Sequence, residues 1–321
     1  MTKRSDRHDS SPQDSQSTNR WQALPTEARH PESSDLDSLS SEHIVSLLLE
    51  EDSRGLAAAQ THRAEIARAA EWVAEALESG GILMFAGAGT SGRLGVLEAA
   101  ECPPTFGTDP ERIQAVIAGG PDAVFRAAEG AEDREDDGRD SVRNLGPDDV
   151  LIGLSASSVT PYARGALTQA RQQGARTVLL TCASEENLGG TADLLLALDT
   201  GPEILTGSTR LKAGSATKAV LNAITTTAMI RLGKVFGNLM VDLRPGSAKL
   251  RDRAVRIVQA ATGVSAAEAR ELYREANEEV KTAIVMARLD LSAEAARARL
   301  AAAHGHVRRA LEASSPGTRL G

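Results

Sequence analysis

The chain has 321 residues, 41% hydrophobic and 25% charged, which is enough for one large α/β domain and a smaller attachment. Its net charge is −8 and no basic block is present, so nucleic acid is not an expected partner. Its two cysteines, Cys102 and Cys182, have no metal-site spacing. The absence of a long apolar run or a signal-peptide pattern predicts a cytoplasmic protein without membrane contact.

The N-terminal region is polar before the first helical pattern appears. Residues 1–22 are rich in Ser, Asp and Gln and contain very few apolar residues, which predicts a disordered tail. Residues 41–52 show one short helical pattern, and residues 55–79 show a longer one with apolar side chains at helical spacing.

From residue 81 onward, short apolar runs alternate with helical patterns. The runs predict five strands, at 81–87, 112–120, 149–157, 175–183 and 192–200. Helices are predicted at 91–101, near 121–130, at 161–174 and at about 208–232, the first of them stopped by Pro103-Pro104. This alternation is typical of an α/β fold with a mostly parallel sheet and helices on both faces.

After about residue 254 the pattern is helical throughout, which predicts a small C-terminal helical module. The predicted organisation is therefore a tail over 1–22, an α/β domain over 23–254 and the module over 255–321.

A glycine-rich stretch, AGAGTSGRLGVLEAAECPP at 86–104, joins the first predicted strand to a helix. Its G-x-G-x-x-G pattern matches a dinucleotide fingerprint, but the second strand lacks the terminal acidic residue that would hold a ribose. It also approaches a triphosphate loop, but Arg93 and Leu94 stand where Lys and a hydroxyl residue are needed. Neither nucleotide class is therefore expected.

The same stretch nevertheless has the properties of an anion site. Gly89 and Gly92 allow close approach of the backbone, and Thr90 and Ser91 add hydroxyls at a helix N-terminus. A second loop, SASSVTPY at 155–162, also follows a strand and precedes a helix. Two such loops predict a pocket at a topological switch point, better suited to a sugar phosphate than to a nucleotide. The alternative is that both are ordinary helix caps.

Carboxylates follow both of the first two strands. Glu98 and Glu101 lie three residues apart on the predicted helix, and Glu101 is placed at its C-terminus, where the helix dipole favours a neutral carboxyl and suits a general acid. The acidic run at 127–137 is typical of a solvated connection, within which Glu132 is the candidate functional residue. A solvated role remains open for each of these carboxylates.

Several segments in order resemble those of one family. They are GAGTSGRLGVLEAAECPPTFG (87–107), EGAED (129–133), TGSTRLKAGSATK (206–218), GKVFGNLMVDL (233–243), KTAIVM (281–286) and TEARHPESSDLD (26–37). The family they resemble is that of the N-acetylmuramic acid 6-phosphate etherases, lyases with a sugar isomerase (SIS) domain that are related to the vertebrate glucokinase regulatory protein. The resemblance runs from about Thr26 to Leu311 and implies a SIS-type sheet, a UBA-like C-terminal module and a homodimer.

The resemblance implies an elimination followed by a hydration, without a metal or cofactor. A base removes the hydrogen on carbon 2 of the open-chain sugar, and an acid protonates the departing D-lactate oxygen. Water then adds to the unsaturated intermediate and gives N-acetylglucosamine 6-phosphate. The reaction belongs to amino-sugar catabolism or cell-wall recycling.

The resemblance also implies roles for individual residues. Glu101, in Glu-Cys-Pro-Pro, corresponds to the acid/base for the leaving group and for water, and Glu132 to proton transfer at carbon 2 or ring opening. The phosphate site implied by the resemblance and the loops comprises Gly89, Thr90, Ser91, Gly92, Ser157 and Thr160. Arg210 and Lys212 are expected to hold phosphate or the lactate carboxylate, or to lie at a subunit interface.

Two departures from the family pattern affect this expectation. The second loop has Ser158 and Val159 where the family has Gly and Arg, and the N-terminal motif has His30 where the family has Asn. Two other functions remain open, a non-catalytic sugar-phosphate sensor and an aldose–ketose phosphate isomerase. The joint presence of Glu101 and Glu132 favours the lyase.

Overall fold

The computed structural model describes residues 25–186, 188–243 and 247–312, and the tail predicted over residues 1–22 lies outside them. Within these ranges, none of the helices has the length and apolar character needed to cross a bilayer.

Two helices precede the sheet, α1 (Ser41–Thr61) and α2 (Arg63–Glu78). The break predicted before Gly55 is wrong, because α1 runs through this glycine and ends just before His62. The glycine serves packing instead, since a Cβ there would lie 2.7 Å from Lys212 Cγ. Its lack of a side chain lets α1 approach a later helix closely.

The central sheet has five parallel strands in the order β2-β1-β3-β4-β5. The strands are β1 (Leu83–Gly87), β2 (Ile113–Ile117), β3 (Val150–Ser155), β4 (Arg176–Thr181) and β5 (Leu194–Ala197). The helices that follow them are α3 (Gly89–Phe106), α4 (Glu135–Ser141), α5 (Pro161–Gln172) and α6 (Lys212–Arg231). This confirms the predicted α/β class and all five predicted strands.

Both faces of the sheet are covered, as the apolar strands require. On β1, Phe85 packs into a core formed with α2, α3 and α6, whereas its neighbour Met84 packs into a second core formed with α5. Successive side chains of a strand point to opposite faces, so each strand contributes to both cores.

Two helix predictions need correction. The double proline does not end α3, which continues to Phe106 and stops at Gly107, whose φ is +64°. Because the two prolines lie in the last turns, they remove only hydrogen bonds near the helix end. The helix predicted near 121–130 is instead a 3-10 turn, Pro121–Val124, followed by irregular chain.

A hairpin that the pattern did not predict follows α6, with β6 (Val235–Phe236) and β7 (Leu239–Met240). Five helices then form a separate apolar core with Val241 and Leu243. They are α7 (Ala248–Thr262), α8 (Ala266–Glu275), α9 (Val280–Leu289), α10 (Ala293–Ala302) and α11 (Val307–Glu312). The predicted boundary after residue 254 falls inside α7, so we propose that the C-terminal module begins with this helix or before it.

Candidate active site

The strand order creates a switch point between β1 and β3. From β1 the chain crosses to β2 on one side, and it then returns to β3 on the other side. The loops after β1 and β3 therefore diverge at the same carboxyl edge, which is where ligands bind in open α/β sheets. These are the two loops that the sequence singled out.

The first loop presents the N-terminus of α3 to this edge. The amide N–H of Gly92 donates to Ala88 O at 3.2 Å, and the three N–H groups before it have no acceptor within the helix. A Cβ on Gly92 would lie 2.6 Å from Ile117 Cγ1 and 2.7 Å from Gly87 O, so only glycine permits this close packing. Free N–H groups and the positive end of the helix dipole favour an anion here.

The second loop is held by one hydrogen bond between two of its own residues and by another from β4. The amide of Thr160 donates to Ser155 Oγ at 3.1 Å, and Thr181 Oγ1 donates to Ser158 O at 3.0 Å. The hydroxyl of Thr160 is buried and has no hydrogen-bond partner within the described ranges. A buried hydroxyl in this position is suited to a bound polar ligand.

Glu132 lies close to the first loop. It is carried by a 3-10 turn, Ala131–Asp133, and both Glu132 and Gly89 line a cavity of about 160 Å³. The structure therefore brings this glutamate and the glycine loop to one site, although they are separated by more than 40 residues of sequence.

Glu101 is not part of this cavity. It is exposed on α3, and the 12 residues from 89 to 101 place it about 18 Å along the helix axis at 1.5 Å per residue. It also lies five residues before the helix ends, so the predicted C-terminal position is wrong. Within one chain the two glutamates are thus held apart.

The neighbouring Glu98 is buried and structural. Its carboxylate accepts hydrogen bonds from Asn222 Nδ2 at 2.8 Å and from the Thr225 hydroxyl, both on α6. Burial raises the pKa of the adjacent Cys102 thiol to about 12, with further contributions from Glu98 and Glu101. A thiol that stays protonated at neutral pH is a poor nucleophile.

Arg210 and Lys212 differ in their surroundings. The segment that carries them borders the glycine loop, since a Cβ on Gly214 would lie 3.8 Å from Thr90 Cγ2. Arg210 is exposed there and remains a candidate for an anionic group of a ligand. The Lys212 ammonium instead pairs with Glu51 and donates to Pro202 O at 2.9 Å, and its side chain is only 4% exposed. We therefore leave Lys212 out of the site.

The His30, Glu32 and Glu51 side chains come close enough to be considered as metal ligands. However, the His30 nitrogens and the Glu51 carboxylate already have partners within the protein. His30 Nδ1 accepts from the Glu32 amide at 3.2 Å, and its Nε2 lies 3.4 Å from Glu51 Oε2, the oxygen that also binds Lys212. Because the Lys212 ammonium already supplies a cation to this oxygen, we interpret the cluster as an ion-pair network that joins the N-terminal segment to α1 and α6.

Comparison with known proteins agrees with this arrangement. A model of the N-terminal SIS domain of glucokinase regulatory protein matches residues 65–171, and a general SIS model matches residues 128–227. An N-acetylmuramic acid 6-phosphate etherase from Salmonella agona is 47% identical over 291 residues, covering 90% of this chain and 98% of its own. The chain belongs to the N-acetylmuramic acid 6-phosphate etherase family.

Two further etherases extend this relationship. The Crocosphaera subtropica protein is 46% identical over 90% of this chain and 96% of its own length, and the Cutibacterium acnes protein is 48% identical over 89% and 95%. Among solved structures, the Vibrio vulnificus NanR protein complexed with ManNAc-6P is 15% identical, covers 70% of this chain and 72% of its own, and gives a TM-score of 0.41. A similarity this low supports no conclusion on function.

Sequence reasoning did not assign a role to one residue of this etherase-family site. Arg93 was considered only as a departure from a triphosphate loop, yet its side chain lines the same cavity as Gly89 and Glu132. The sequence shows only that a basic residue lies two positions after Ser91. Its hydrogen bonds to Ala123, Val124 and Arg126, about 30 residues later in the chain, could not be predicted from a local pattern.

Proposed function

We propose that this chain is an etherase that cleaves the lactyl ether of N-acetylmuramic acid 6-phosphate. The products are N-acetylglucosamine 6-phosphate and D-lactate, as for the family's named activity. The observation that carries the proposal is the pair of loops at the switch point with Glu132 beside them. The family relationship at 47% identity over 90% of the chain supports it.

In the proposed site, the two loops hold the phosphate. The first-turn N–H groups of α3 and the hydroxyls of Thr90 and Ser91 bind it from one side, with Gly89 and Gly92 allowing the close approach. Ser157 binds it from the other side, together with the Thr160 hydroxyl, which has no hydrogen-bond partner among the described residues. Arg210, at the rim, is suited to the lactate carboxylate, because a guanidinium can donate two parallel hydrogen bonds to a carboxylate.

We assign the chemistry to the two glutamates. In the elimination, the proton on carbon 2 goes to a base, the bond between carbon 3 and the ether oxygen breaks, and lactate leaves with a proton from an acid. In the hydration, water adds at carbon 3 and a proton returns to carbon 2. Glu101 protonates the leaving group and activates water, and Glu132 serves carbon 2 or ring opening.

The separation of the glutamates supports a homodimeric site. Glu101 lies about 18 Å along α3 from Gly89, too far to reach a sugar held there. Leu97, one turn earlier on the same face, is 45% exposed. An exposed apolar side chain beside a catalytic candidate fits a surface that a second copy covers. We propose that each site combines Glu132 of one protomer with Glu101 of its partner.

We also propose that the protein is cytoplasmic, because a sugar phosphate carries charge that keeps it on one side of a membrane. The biological setting is then the use of amino sugars from the cell's own wall or from imported muramic acid.

Glutamine substitutions test the two proposed roles. Glu101→Gln and Glu132→Gln each remove the proton-transfer group while preserving shape, so we expect D-lactate release to fall at least about 100-fold. Binding of N-acetylglucosamine 6-phosphate should persist, since the phosphate loops are unchanged. Glu98→Gln is not a suitable control, because Glu98 is buried and its substitution would disturb the fold. Glu111 is exposed, so the Glu111→Gln variant is the control and should retain full activity. Wild-type binding of the sugar phosphate without lactate release would favour the sensor function instead.

A further inference from the structure

Three of the five N–H donors of the Arg93 guanidinium are directed at backbone carbonyl groups. Its Nε donates to Val124 O at 2.8 Å, and one terminal nitrogen donates to Ala123 O at 2.7 Å and to Arg126 O at 3.3 Å. All three acceptors belong to the chain that leaves β2 and leads to Glu132. Arg93 itself lies in the first turns of α3, just after the hydroxyl of Ser91. The side chain thus links the glycine loop to the segment that carries the glutamate.

This segment has little regular structure of its own. Between β2 and α4 it forms only two 3-10 turns, Pro121–Val124 and Ala131–Asp133, and Phe125 between them is 89% exposed. Short turns provide few backbone hydrogen bonds, so the position of Glu132 depends on contacts from outside the segment.

Ala131 is buried in the core that includes α5, and two further contacts support the turn. A Cβ on Gly119 would lie 2.6 Å from Ala128 Cβ and 3.4 Å from Ala131 Cβ, which shows how closely the turn packs on the end of β2. The second contact is the set of hydrogen bonds from Arg93. Residues that take part in these contacts, Arg93, Ala123, Ala128 and Ala131, line the cavity of about 160 Å³ that Gly89 and Glu132 share.

We propose that Arg93 is a positioning residue, which sets the distance and orientation of Glu132 relative to the phosphate-binding loop. The inference rests on the role of Glu132 given above. The proposal assigns Arg93 no contact with the phosphate, because its Nε and one terminal nitrogen already donate to Ala123, Val124 and Arg126 in the segment that carries Glu132. Loss of these hydrogen bonds would let the segment move, and misplacement of a catalytic group by about 1 Å can reduce a rate about 100-fold.

Lysine cannot replace arginine in this position. The planar guanidinium presents five N–H donors in a fixed fork, whereas an ammonium is a compact charge at the end of a flexible stem. Arg93→Lys therefore keeps the charge near the loop but loses the simultaneous hydrogen bonds to three carbonyls. This separates positioning from a simple electrostatic effect on the phosphate.

The chain offers a matched control at the opposite edge of the sheet. Arg112 also donates to two backbone carbonyls, Gly81 O at 2.9 Å and Leu77 O at 2.6 Å, but these lie in the last turn of α2 and in the connection to β1. Arg112→Lys thus removes the same kind of contact far from the proposed site.

The experiment compares both variants with wild type in kinetics and in hydrogen–deuterium exchange. For Arg93→Lys we expect kcat for lactate release to fall about 10- to 100-fold while KM changes less than about threefold, because the phosphate loops are intact. Exchange should rise in peptides covering 121–134. For Arg112→Lys we expect wild-type kcat and wild-type exchange in those peptides.

Each other outcome is decisive. An unchanged kcat in Arg93→Lys, equal losses in both variants, or a loss confined to KM would contradict the positioning role. Unfolding of both Arg93→Lys and Arg93→Gln would assign the residue to fold stability instead. If wild type releases no lactate, the proposed function fails, but the exchange data still decide whether Arg93 fixes the segment that carries Glu132.

Discussion

At the scale of single residues, the second loop departs from its family at a position with unusual backbone geometry. Ser158 has φ of +157°, a conformation that favours glycine, and the family has Gly there. A non-glycine residue in such a region stores strain of about 1–3 kcal/mol. The hydrogen bond from Thr181 Oγ1 to Ser158 O helps to hold the loop in this state.

Ser158→Gly should therefore be tolerated. Relief of strain is partly offset by the greater freedom of glycine in the unfolded chain, about 0.5–1 kcal/mol, so we expect an equal or higher Tm and an unchanged KM. Ser157→Gly is the matched control, and there we expect a higher KM, because a proposed phosphate-binding hydroxyl is lost. Calorimetry and steady-state kinetics check both variants. A Tm of Ser158→Gly several degrees below wild type would show that the loop carries no strain.

The surroundings of some candidate site residues could be predicted from the sequence, and those of others could not. The glycine loop follows a buried strand directly, so the local pattern placed Gly89, Thr90 and Ser91 correctly at a helix N-terminus. The surroundings of Lys212 depend on Glu51, 161 residues earlier, which no local pattern indicates. The position of Glu101 before the last turn of α3 was missed because Pro103-Pro104 was expected to end the helix, although prolines in the last turns disrupt few hydrogen bonds.

At the scale of elements, α1 and α6 are joined by a buried ion pair. Burial alone would raise the pKa of Glu51, but the hydrogen bond and charge of Lys212, with the charges of His30 and Arg54, hold it below 4.5. A carboxyl with a lowered pKa in the folded state contributes stability above its unfolded pKa and loses it as the pH falls. The pair should therefore stabilise the fold at neutral pH and fail under acid conditions.

Glu51→Gln tests this pH dependence. Because it leaves the Lys212 ammonium buried without its partner, we expect a loss of about 3 kcal/mol in the free energy of unfolding at neutral pH. The difference from wild type should shrink as the pH falls from the ordinary glutamate range through the lowered pKa of folded Glu51, where the wild-type carboxyl also becomes protonated. Denaturant titrations over this range give the comparison, with the exposed Glu50→Gln as control. A difference that is constant with pH would rule out a titrating pair.

The elements themselves were predicted unevenly. Apolar runs ending in glycine or polar residues identified all five parallel strands, because buried strands have a strong local pattern. The hairpin of β6 and β7 was missed, since strands of two residues are too short to show a period. The break at His62 rather than Gly55 reflects tertiary packing of α1 on α6, which overrides the low helix propensity of glycine.

At the scale of the whole molecule, each proposed site is complete only when two copies of the chain come together. Mixing Glu101→Gln with Glu132→Gln protomers tests this arrangement. In a two-fold symmetric hybrid, one site receives both intact glutamates and the other receives neither. Random exchange of protomers should restore about a quarter of the wild-type rate, because half of the dimers are hybrids and each has one active site.

Protomers are exchanged by unfolding and refolding the mixed sample. As the control, Glu101→Gln protein alone is unfolded and refolded in the same way, and we expect no recovery of lactate release. Light scattering gives the oligomeric state in parallel. No recovery in the mixed sample, although hybrid dimers form, would show that both glutamates act within one protomer.

The most direct test of the central claim is the fate of the oxygen atoms. Wild-type protein is incubated with N-acetylmuramic acid 6-phosphate in heavy-oxygen water, and the products are analysed by mass spectrometry. Elimination followed by hydration predicts unlabelled D-lactate and N-acetylglucosamine 6-phosphate labelled at carbon 3. Labelled lactate with an unlabelled sugar hydroxyl at carbon 3 would contradict this mechanism, and saturable sugar-phosphate binding without lactate release would contradict the lyase assignment itself.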